Sequence, residues 1–412
     1  AGKTSRVPLA RLEAGLTRGR SVMLEPRRLA ARAAAERMAA SLGERVGQTV
    51  GYRIRGEAKT SAATRIEVVT EGILTRMLQS APDLPGVGAV IFDEFHERSL
   101  NADLGLALCL EVAEALRDDL ILLAMSATLD AAPVAQVMQA EIITSAGQSF
   151  EVAPHWLDRP VPKQIRFETA MADLIVQAAH EADGGLLAFL PGEGEIRRVE
   201  AALAGRLPAR CAIQPLFGAM ELPAQRAAVA PSAARKVVLA TSIAETSLTI
   251  PDIRIVVDGG RSRRALFDPA SGMSRLVTNR VTRAEATQRA GRAGRVAPGR
   301  CYKLWTRGED GALAAYPPPE IEAGDLTGFA LELALWGGSE DAMAFVTPPH
   351  PGRLAEARNL LQMLGGLDAD QRITDHGRAL ARAPLHTRLA HMLERAGDGA
   401  ATLAALLAGR GP

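Results

Sequence analysis

Cysteine is scarce in this sequence of 412 residues, and its three copies lie far apart. Cys109, Cys211 and Cys301 are odd in number, and no two of them have the short spacing of a CxxC zinc site. The sequence therefore argues against a disulfide framework or a cysteine-based zinc module. It favours a protein of the reducing cytoplasm.

Long apolar runs are also missing. Although 47% of the residues are hydrophobic, no run reaches the roughly 18 uncharged apolar residues that a membrane helix needs. No signal peptide is visible, so no membrane partner is predicted. The length allows two or three domains at roughly 100–200 residues each. Residue 1 is Ala and lies inside a motif, so we interpret the chain as a fragment.

Lysine is rare, with five copies among 48 basic residues, so arginine carries nearly all of the positive charge. The net charge of +1 gives no overall attraction to nucleic acid. Between residues 261 and 300, however, ten Arg stand against two acidic residues. Arginine forks suit bidentate phosphate contacts. A solvated, Arg-rich surface is the alternative interpretation of this segment.

Short apolar runs alternate with Ala- and Leu-rich helical stretches along most of the chain. Strands that are apolar on both faces and separated by helices predict βαβ units and a parallel sheet. A Pro-marked stretch at 151–164 interrupts the pattern before a second α/β half, and 315–325 marks the start of a mostly helical part. The predicted strands are 21–24, 65–69, 89–92, 120–125, 141–144, 186–190, 212–217, 236–241, 254–258 and 301–305.

The first residues, "AGKTSR", contain the end of a phosphate-binding loop of the form GxxxxGK[ST]. In such a loop, backbone N–H groups hold phosphates at a helix N-terminus. Lys3 would then reach the β- and γ-phosphates, and the Thr4 hydroxyl would bind Mg²⁺ beside Gly2. Chance occurrence of these few residues is the alternative.

A second candidate lies in "VIFDEFHERSL", where a predicted strand runs into Asp93 and Glu94. Ligands of parallel sheets bind outside the carboxyl ends of the strands. Asp93 would hold Mg²⁺, and Glu94 would take a proton from the attacking water or orient it, the pair that phosphoryl transfer requires. A solvated acidic loop remains the alternative.

Other strand ends carry small polar residues. His96 could link the nucleotide site to the second half of the molecule, or simply cap a helix, and no second ligand supports a zinc role. Ser126 and Thr128 in "MSATL" could relay the state of the acidic site. The hydroxyl-rich "ATSIAETSLTI" includes Thr241 and Thr246, which suit phosphate contacts, although a capped turn with Glu245 after Ser242 explains it equally well.

The segment "QRAGRAGR" repeats Arg every three residues with Gly between. On a helix this spacing places Arg289, Arg292 and Arg295 near one face. Two glycines inside a helix cost about 1 kcal/mol each, which suggests a close approach by another group. Arg292 and Arg295 are candidates for arginine fingers on a γ-phosphate, and Gln288 could orient the attacking water. A solvated basic helix is the alternative.

Taken together and in order, these segments resemble motifs I to VI of superfamily 2 DEAH-box RNA helicases. The segments are "AGKT", "EPRRLAARAAAERMA", "TEGIL", "DEFH", "SAT", "FLPGEGEI", "ATSIAETSLTI" and "QRAGRAGR". "ITDHGRAL" and "APLHTRLAHML" resemble the winged-helix and ratchet region of that family. "DEFH" in place of DEAH is most like the bacterial HrpB-type branch, and the resemblance covers nearly the whole chain.

The resemblance implies an α/β fold with two tandem RecA-like domains that face each other across a cleft, followed by helical segments. We expect RecA-like domains at 1–155 and 156–315, a winged-helix-like domain at 316–384 and the start of a ratchet domain at 385–412. It implies an ATP- and Mg²⁺-dependent helicase that moves on single-stranded RNA from 3′ to 5′. DNA as substrate, a catalytically inactive RNA-binding relative and a metabolic kinase are the alternatives.

The resemblance also assigns residues. ATP and Mg²⁺ would contact Gly2, Lys3, Thr4 and Asp93, with Arg37 and Arg289 also contacting the nucleotide. Glu94, Gln288, Arg292 and Arg295 would be catalytic, and His96, Ser126 and Thr128 would couple hydrolysis to movement. The RNA backbone would lie along Arg27, Arg28, Thr70, Thr241 and Thr246. The adenine would stack between Arg37 and an aromatic residue, but the sequence has Arg261 at that second place, which predicts relaxed base specificity.

Overall fold

The computed structural model describes residues 2–16, 18–127, 131–145, 147, 150–245, 250–268 and 273–408, apart from the side chains of 222, 273 and 398. The chain divides into two compact units, which we name after their sheets. The first-sheet unit comprises Pro8–Ile142, Leu266–Arg275 and Pro318–Pro412, and the second-sheet unit comprises Ala1–Val7, Ile143–Ala265 and Leu276–Pro317.

Helices and strands alternate through the first third of the chain. The strands are β1 (Arg20–Glu25), β2 (Val50–Ile54), β3 (Glu57–Lys59), β4 (Ile66–Thr70), β5 (Val87–Phe92) and β6 (Ile121–Ala124). The helices are α1 (Lys3–Glu13), α2 (Arg28–Ser41), α3 (Glu71–Ser80), α4 (Leu100–Ala115) and α5 (Ala132–Met138).

The first sheet has the order β3-β2-β4-β1-β5-β6, and its pairs are parallel except for the antiparallel β2–β3 pair. Strand β5 is buried at every residue, and β1 and β4 are buried at all but their end residues. Strands covered on both faces are mostly apolar, as β5 is throughout. The exceptions in β1 and β4 are the buried Ser21, Glu25 and Glu67.

The second part of the chain builds another parallel sheet, with the order β7-β14-β11-β8-β10-β9. Strands β12 and β13 form a separate two-stranded sheet. The strands are β7 (Val152–Leu157), β8 (Gly185–Phe189), β9 (Cys211–Leu216), β10 (Arg235–Ala240), β11 (Ile253–Asp258), β12 (Arg261–Asp268), β13 (Met273–Arg280) and β14 (Gly299–Thr306). The helices are α6 (Phe167–Glu181), α7 (Glu193–Ala202), α8 (Leu222–Val229), α9 (Arg283–Ala290) and α10 (Arg307–Gly311).

The last part of the chain is helical, as predicted, and shares its core with the first sheet. Phe329, Leu331 and Leu361 belong to the same buried cluster as Phe92 and Leu104. The division into four domains by residue number stays a prediction. The helices are α11 (Glu320–Ala323), α12 (Thr327–Trp336), α13 (Pro351–Met363), α14 (Asp375–Arg382), α15 (Thr387–Ala396) and α16 (Ala401–Ala408).

The predicted α/β class with parallel sheets is confirmed. The strand predicted at 141–144 is wrong, because this segment has no strand pairing and Ile143 is 90% exposed. The stretch at 151–164 was interpreted as a break, yet its first half is the edge strand β7. Strands β2, β3, β12 and β13 were not predicted. Among the described residues, no helix has the length and apolar character required to cross a bilayer.

Candidate nucleotide and nucleic-acid site

The carboxyl edge of the first sheet gathers the predicted motifs of this unit. In the parallel register Leu24 pairs with Phe92, and Phe92 with Ala124. Glu25 pairs with Thr70 in the same way. The segments that begin at Pro26, Glu71, Asp93 and Met125 therefore leave the sheet at one edge, where parallel α/β sheets bind ligands.

Asp93 follows the last residue of β5 and is 7% exposed. Its Oδ1 accepts a hydrogen bond from the backbone N–H of Glu94 at 2.9 Å. Its Oδ2 is buried and has no hydrogen-bond partner among the described residues. A buried carboxylate oxygen without a partner is costly unless a ligand completes it. A hard cation such as Mg²⁺ fits this oxygen, because it binds through one or two carboxylates.

Glu94 has a left-handed backbone conformation, with φ of 49° and ψ of 34°. Such a conformation is uncommon outside glycine and marks a site held in place by its surroundings. Next to it, the 3-10 turn Phe95–Glu97 is fixed by the hydrogen bond from the Phe95 N–H to the Met125 carbonyl at 3.0 Å. The backbone at Glu94 is therefore held in a defined conformation next to Asp93.

His96 lies between Glu94 and the end of β6. Its Nδ1 is 3.5 Å from Glu94 Oε2 and 3.4 Å from the backbone N of Ala127. The neighbouring Ser126 is half-buried. His96 thus contacts the two segments that the sequence predicted to be coupled. Thr128, the third predicted coupling residue, lies outside the described residues.

The end of the phosphate-binding loop leads into α1, whose first residues are Lys3 and Thr4. Gly2 has a φ of +103°, a conformation that L side chains rarely adopt, so glycine is required there. Lys3 is exposed and Thr4 is half-buried. A glycine that turns the chain into a helix N-terminus is the arrangement that phosphate binding uses.

The predicted RNA-binding residues of this unit lie at the same sheet edge or on the helix that follows it. Arg27 is the N-cap of α2, and its Nη2 lies 3.2 and 3.3 Å from the two carboxylate oxygens of Glu97. Thr70 is the N-cap of α3 and makes no side-chain cap bond. Arg28 is exposed on α2, and so is Arg37, which was predicted to contact the nucleotide and not the RNA.

In the second-sheet unit, Arg289 is 1% exposed and lies in a buried ionic network. Its Nε is 2.7 Å from Glu245 Oε1, and its Nη1 is 2.7 Å from Asp258 Oδ1. Burial alone would lower the pKa of Arg289, but Asp258 and Glu245 outweigh it and raise that pKa. The geometry gives Arg289 a structural role, and its contact with a nucleotide stays a prediction.

Arg292 and Arg295 do not share one α-helical face with Arg289, which corrects the helical prediction for this segment. Helix α9 ends at Ala290, and Gly291–Gly294 form a 3-10 turn. Arg292 is buried and donates from Nε to the Glu245 carbonyl at 2.8 Å, whereas Arg295 is exposed. Gln288 is half-buried on α9.

The predicted close approach at the glycines is present at one of them. A Cβ on Gly294 would lie 2.5 Å from the carbonyl oxygen of Phe150 and 2.8 Å from Val152. A Cβ on Gly291 would meet nothing within 4 Å. The glycine at 294 therefore lets the turn pack against the segment that leads into β7.

The hydroxyl-rich segment after β10 begins with Thr241, which is the N-cap of the 3-10 turn Ser242–Ala244 and makes no side-chain cap bond. Glu245 contacts Arg289 through its carboxylate and Arg292 through its carbonyl. The alternative of a turn capped by Ser242 and Glu245 stays open, because the residues that directly follow Glu245 lie outside the described part of the chain. Thr246 lies outside the described residues.

Arg261 begins β12, and its guanidinium carbon lies 4.3 Å from the centre of the Phe167 ring. Phe167 in turn packs over Gly259, where a Cβ would lie 2.8 Å from the ring. The sequence identified Arg261 as a departure from an aromatic residue. It did not reveal Phe167, because the two residues are far apart in the chain and no recognisable motif contains both.

Residues 171–297 match the helicase conserved C-terminal domain. The chain is 48% identical over 99% of its length to the ATP-dependent RNA helicase HrpB of Escherichia coli (strain K12), covering 51% of that protein. It is 34% identical over 95% of its length to the probable ATP-dependent RNA helicase DHX34 of Mus musculus, covering 35% of that protein. The chain thus spans about half or less of the length of these relatives.

Two solved structures show the same similarity. The crystal structure of the Escherichia coli DEAH/RHA helicase HrpB matches with a TM-score of 0.92 at 48% identity, over 99% of this chain and 53% of that one. A crystal structure of the E. coli DExH-box NTPase HrpB matches with a TM-score of 0.87 at 47% identity, over 98% of this chain and 51% of that one. The chain is therefore similar to a protein that has been described as a DEAH/RHA helicase. Both solved structures are of HrpB, and the predicted resemblance to the HrpB-type helicases is confirmed.

Proposed function

We propose that this chain is the motor part of an ATP-dependent RNA helicase, which couples ATP hydrolysis to movement on single-stranded RNA. The observation that carries the proposal is Asp93, whose buried Oδ2 has no partner among the described residues, directly beside the left-handed Glu94. The helicase names of its relatives support the same function.

In the proposed site, Gly2, Lys3 and Thr4 bind the phosphates of ATP at the start of α1. Thr4 and Asp93 would hold Mg²⁺, which would neutralise phosphate charge when bound. Glu94 accepts a proton from the attacking water. The barrier falls mainly through positioning and charge neutralisation, because phosphoryl transfer leaves little covalent chemistry to the protein.

Gln288, Arg292 and Arg295 are the other residues of the proposed catalytic set. Gln288 orients the water, and the two arginines stabilise charge on the transferred phosphoryl group, a contribution worth roughly 10³–10⁵ in rate where it operates. Arg289 holds the segment in place through Glu245 and Asp258. His96, Ser126 and Thr128 couple the nucleotide state to movement.

Single-stranded RNA is proposed to bind through its backbone along Arg27, Arg28, Thr70, Thr241 and Thr246, with movement from 3′ to 5′. Backbone contacts predict weak sequence preference and affinity that falls steeply with salt. Binding to DNA with equal affinity would instead indicate a DNA translocase, because the 2′-OH is what distinguishes the two nucleic acids. A cytoplasmic location fits the three unpaired cysteines.

For the nucleotide base, Arg37 and Arg261 are proposed to lie on either side of the ring. A guanidinium stacked on Phe167 offers a flat, base-tolerant surface. We therefore expect GTP, CTP and UTP to support turnover within about tenfold of ATP, a difference of about 1.4 kcal/mol.

The deciding experiment compares ATP hydrolysis with and without single-stranded RNA. It uses the chain with a complete phosphate-binding loop ahead of Gly2, beside its Glu94→Gln variant. RNA-stimulated turnover that the variant loses by at least about 10²-fold supports the proposal. RNA binding without any turnover would instead identify an inactive RNA-binding relative.

A further inference from the structure

The ion pair between Arg27 and Glu97 joins two motifs that lie 70 residues apart in the chain. Arg27 follows β1, and Glu97 is the last residue of the 3-10 turn that follows Asp93 and Glu94. The arginine approaches both carboxylate oxygens, and the two side chains are 27% and 22% exposed. The pair is thus accessible to solvent and to a ligand.

Glu97 is tied to Glu94 by the backbone of this turn. The Glu97 N–H donates to the Glu94 carbonyl at 2.9 Å. Glu94 and Arg98, at either end of the turn, both have left-handed backbone conformations, with φ of 49° and 46°. A turn this short has few free torsions, so a displacement of Glu97 is transmitted to Glu94.

The surroundings of Glu97 are acidic. Burial raises the pKa of Glu71, at the start of α3, to about 7. A hydrogen bond from Ser99 lowers this pKa, and repulsion from Glu97, Glu320 and Asp103 raises it further. Arg98, the next cation along the chain, is engaged by Asp103 and by Thr347 Oγ1. The charge on Arg27 therefore matters for the placement of Glu97.

We propose that Glu97 is a positioning residue through which RNA controls the turn that carries Glu94. An RNA phosphate competes with the Glu97 carboxylate for Arg27, and its binding releases Glu97 from the arginine. The released turn then adopts the geometry in which Glu94 acts on water. This inference rests on the proposed function, because it requires RNA at Arg27 and hydrolysis at Glu94.

The strength of the pair suits such an exchange. Partly exposed ion pairs are weak, and a phosphate offers the same guanidinium an equally good bidentate partner. Removing the competing carboxylate should therefore strengthen RNA binding by about twofold to fivefold. A buried pair would be too costly to open.

The first test measures the affinity of the 412-residue chain for a fluorescent single-stranded RNA. Glu97→Gln is compared with the wild type and with Glu340→Gln. The control removes the same charge from a bidentate pair with Arg358, whose side chains are 28% and 21% exposed. We expect tighter binding for Glu97→Gln alone, and no effect of Glu97→Gln in an Arg27→Gln background.

The second test measures ATP turnover with and without RNA in the same variants, with the phosphate-binding loop complete. Glu97→Gln should raise RNA-independent turnover and reduce the stimulation by RNA at least about threefold. Equal losses with and without RNA would indicate a merely structural role and overturn the inference. If Glu97→Gln does not fold, Glu97→Asp withdraws the carboxylate from Arg27 by one methylene. We then expect changes in the same direction in both readouts, and no change in either would contradict the inference.

The outcomes separate this inference from the proposed function. A wild type that is stimulated by RNA, with Glu97→Gln stimulated to the same extent and binding RNA equally well, contradicts the inference alone. A wild type that neither binds RNA nor hydrolyses ATP contradicts the proposed function and the inference with it.

Discussion

The arginines of "QRAGRAGR" occupy three different environments despite their regular spacing. Arg289 is buried among carboxylates, Arg292 is buried against a backbone carbonyl, and Arg295 is exposed. The sequence predicts phosphate contacts for this segment, and these contacts stay a prediction. It could not sort the three, because Glu245 and Asp258 lie 44 and 31 residues before Arg289 and meet it only in the folded chain.

We expect Arg289→Ala to lower the free energy of unfolding by about 3–5 kcal/mol, because two buried carboxylates would lose their cation. Arg295→Ala should change it by less than about 0.5 kcal/mol, since the side chain is exposed. Urea unfolding of both variants measures the difference. Equal stabilities would mean that the buried network is not important for folding.

The two glycines of the same segment provide a matched pair. Gly294→Ala should lower the free energy of unfolding by about 1–3 kcal/mol, because its Cβ would lie 2.5 Å from the Phe150 carbonyl oxygen. Gly291→Ala should be neutral or stabilise by up to about 1 kcal/mol, because φ there is −57° and space is open. Thermal unfolding of the two variants gives the comparison, and a stabilising Gly294→Ala would disprove the close approach.

Among the secondary-structure elements, most interior strands of the two parallel sheets could be predicted, whereas the interior strand β2 and the edge strands β3 and β7 could not. Strands β1, β4 and β5 are buried on both faces and are therefore rich in apolar residues. Strand β7 has three exposed residues at its centre, including Pro154, and was therefore interpreted as a break. An edge strand is defined by its neighbour, which its own residues do not reveal.

The start of α3 predicts a pH dependence of stability. Because the pKa of Glu71 is raised to about 7 in the folded chain, folding binds a proton there that the unfolded chain has lost. The contribution of the Glu71 carboxyl to the free energy of unfolding is largest below about pH 4.5 and is lost as the pH rises towards 7. Glu71→Gln should therefore gain about 2–3 kcal/mol relative to wild type between pH 5 and pH 8.

Urea unfolding of wild type and Glu71→Gln at several pH values tests this prediction. Glu13→Gln is a suitable control, because Glu13 is exposed at the end of α1. A difference between wild type and Glu71→Gln that does not change with pH would show that the carboxyl is ionised throughout.

At the scale of the whole molecule, the first sheet and the C-terminal helices share one core, so removal of these helices should destabilise the sheet. A chain that ends at Pro317 loses Phe329, Leu331 and Leu361, which pack in the same buried cluster as β5. We expect β1 and β5 to lose slow hydrogen exchange in this chain, because large core deletions cost far more than a protein's net stability. A chain that ends at Ala400 should keep slow hydrogen exchange in β1 and β5, since Ala404 is the one buried residue among the described residues of α16.

This shared core also bears on how the protein is made. The ribosome adds roughly 5–20 residues each second, and the last helices follow β6 by about 200 residues of intervening chain. The first sheet must therefore wait tens of seconds with part of its apolar surface uncovered, while the second sheet, whose strands lie between Val152 and Thr306, can already close. The half of the molecule that is translated first is the half that is finished last, and this interval is when a nascent chain most needs a chaperone.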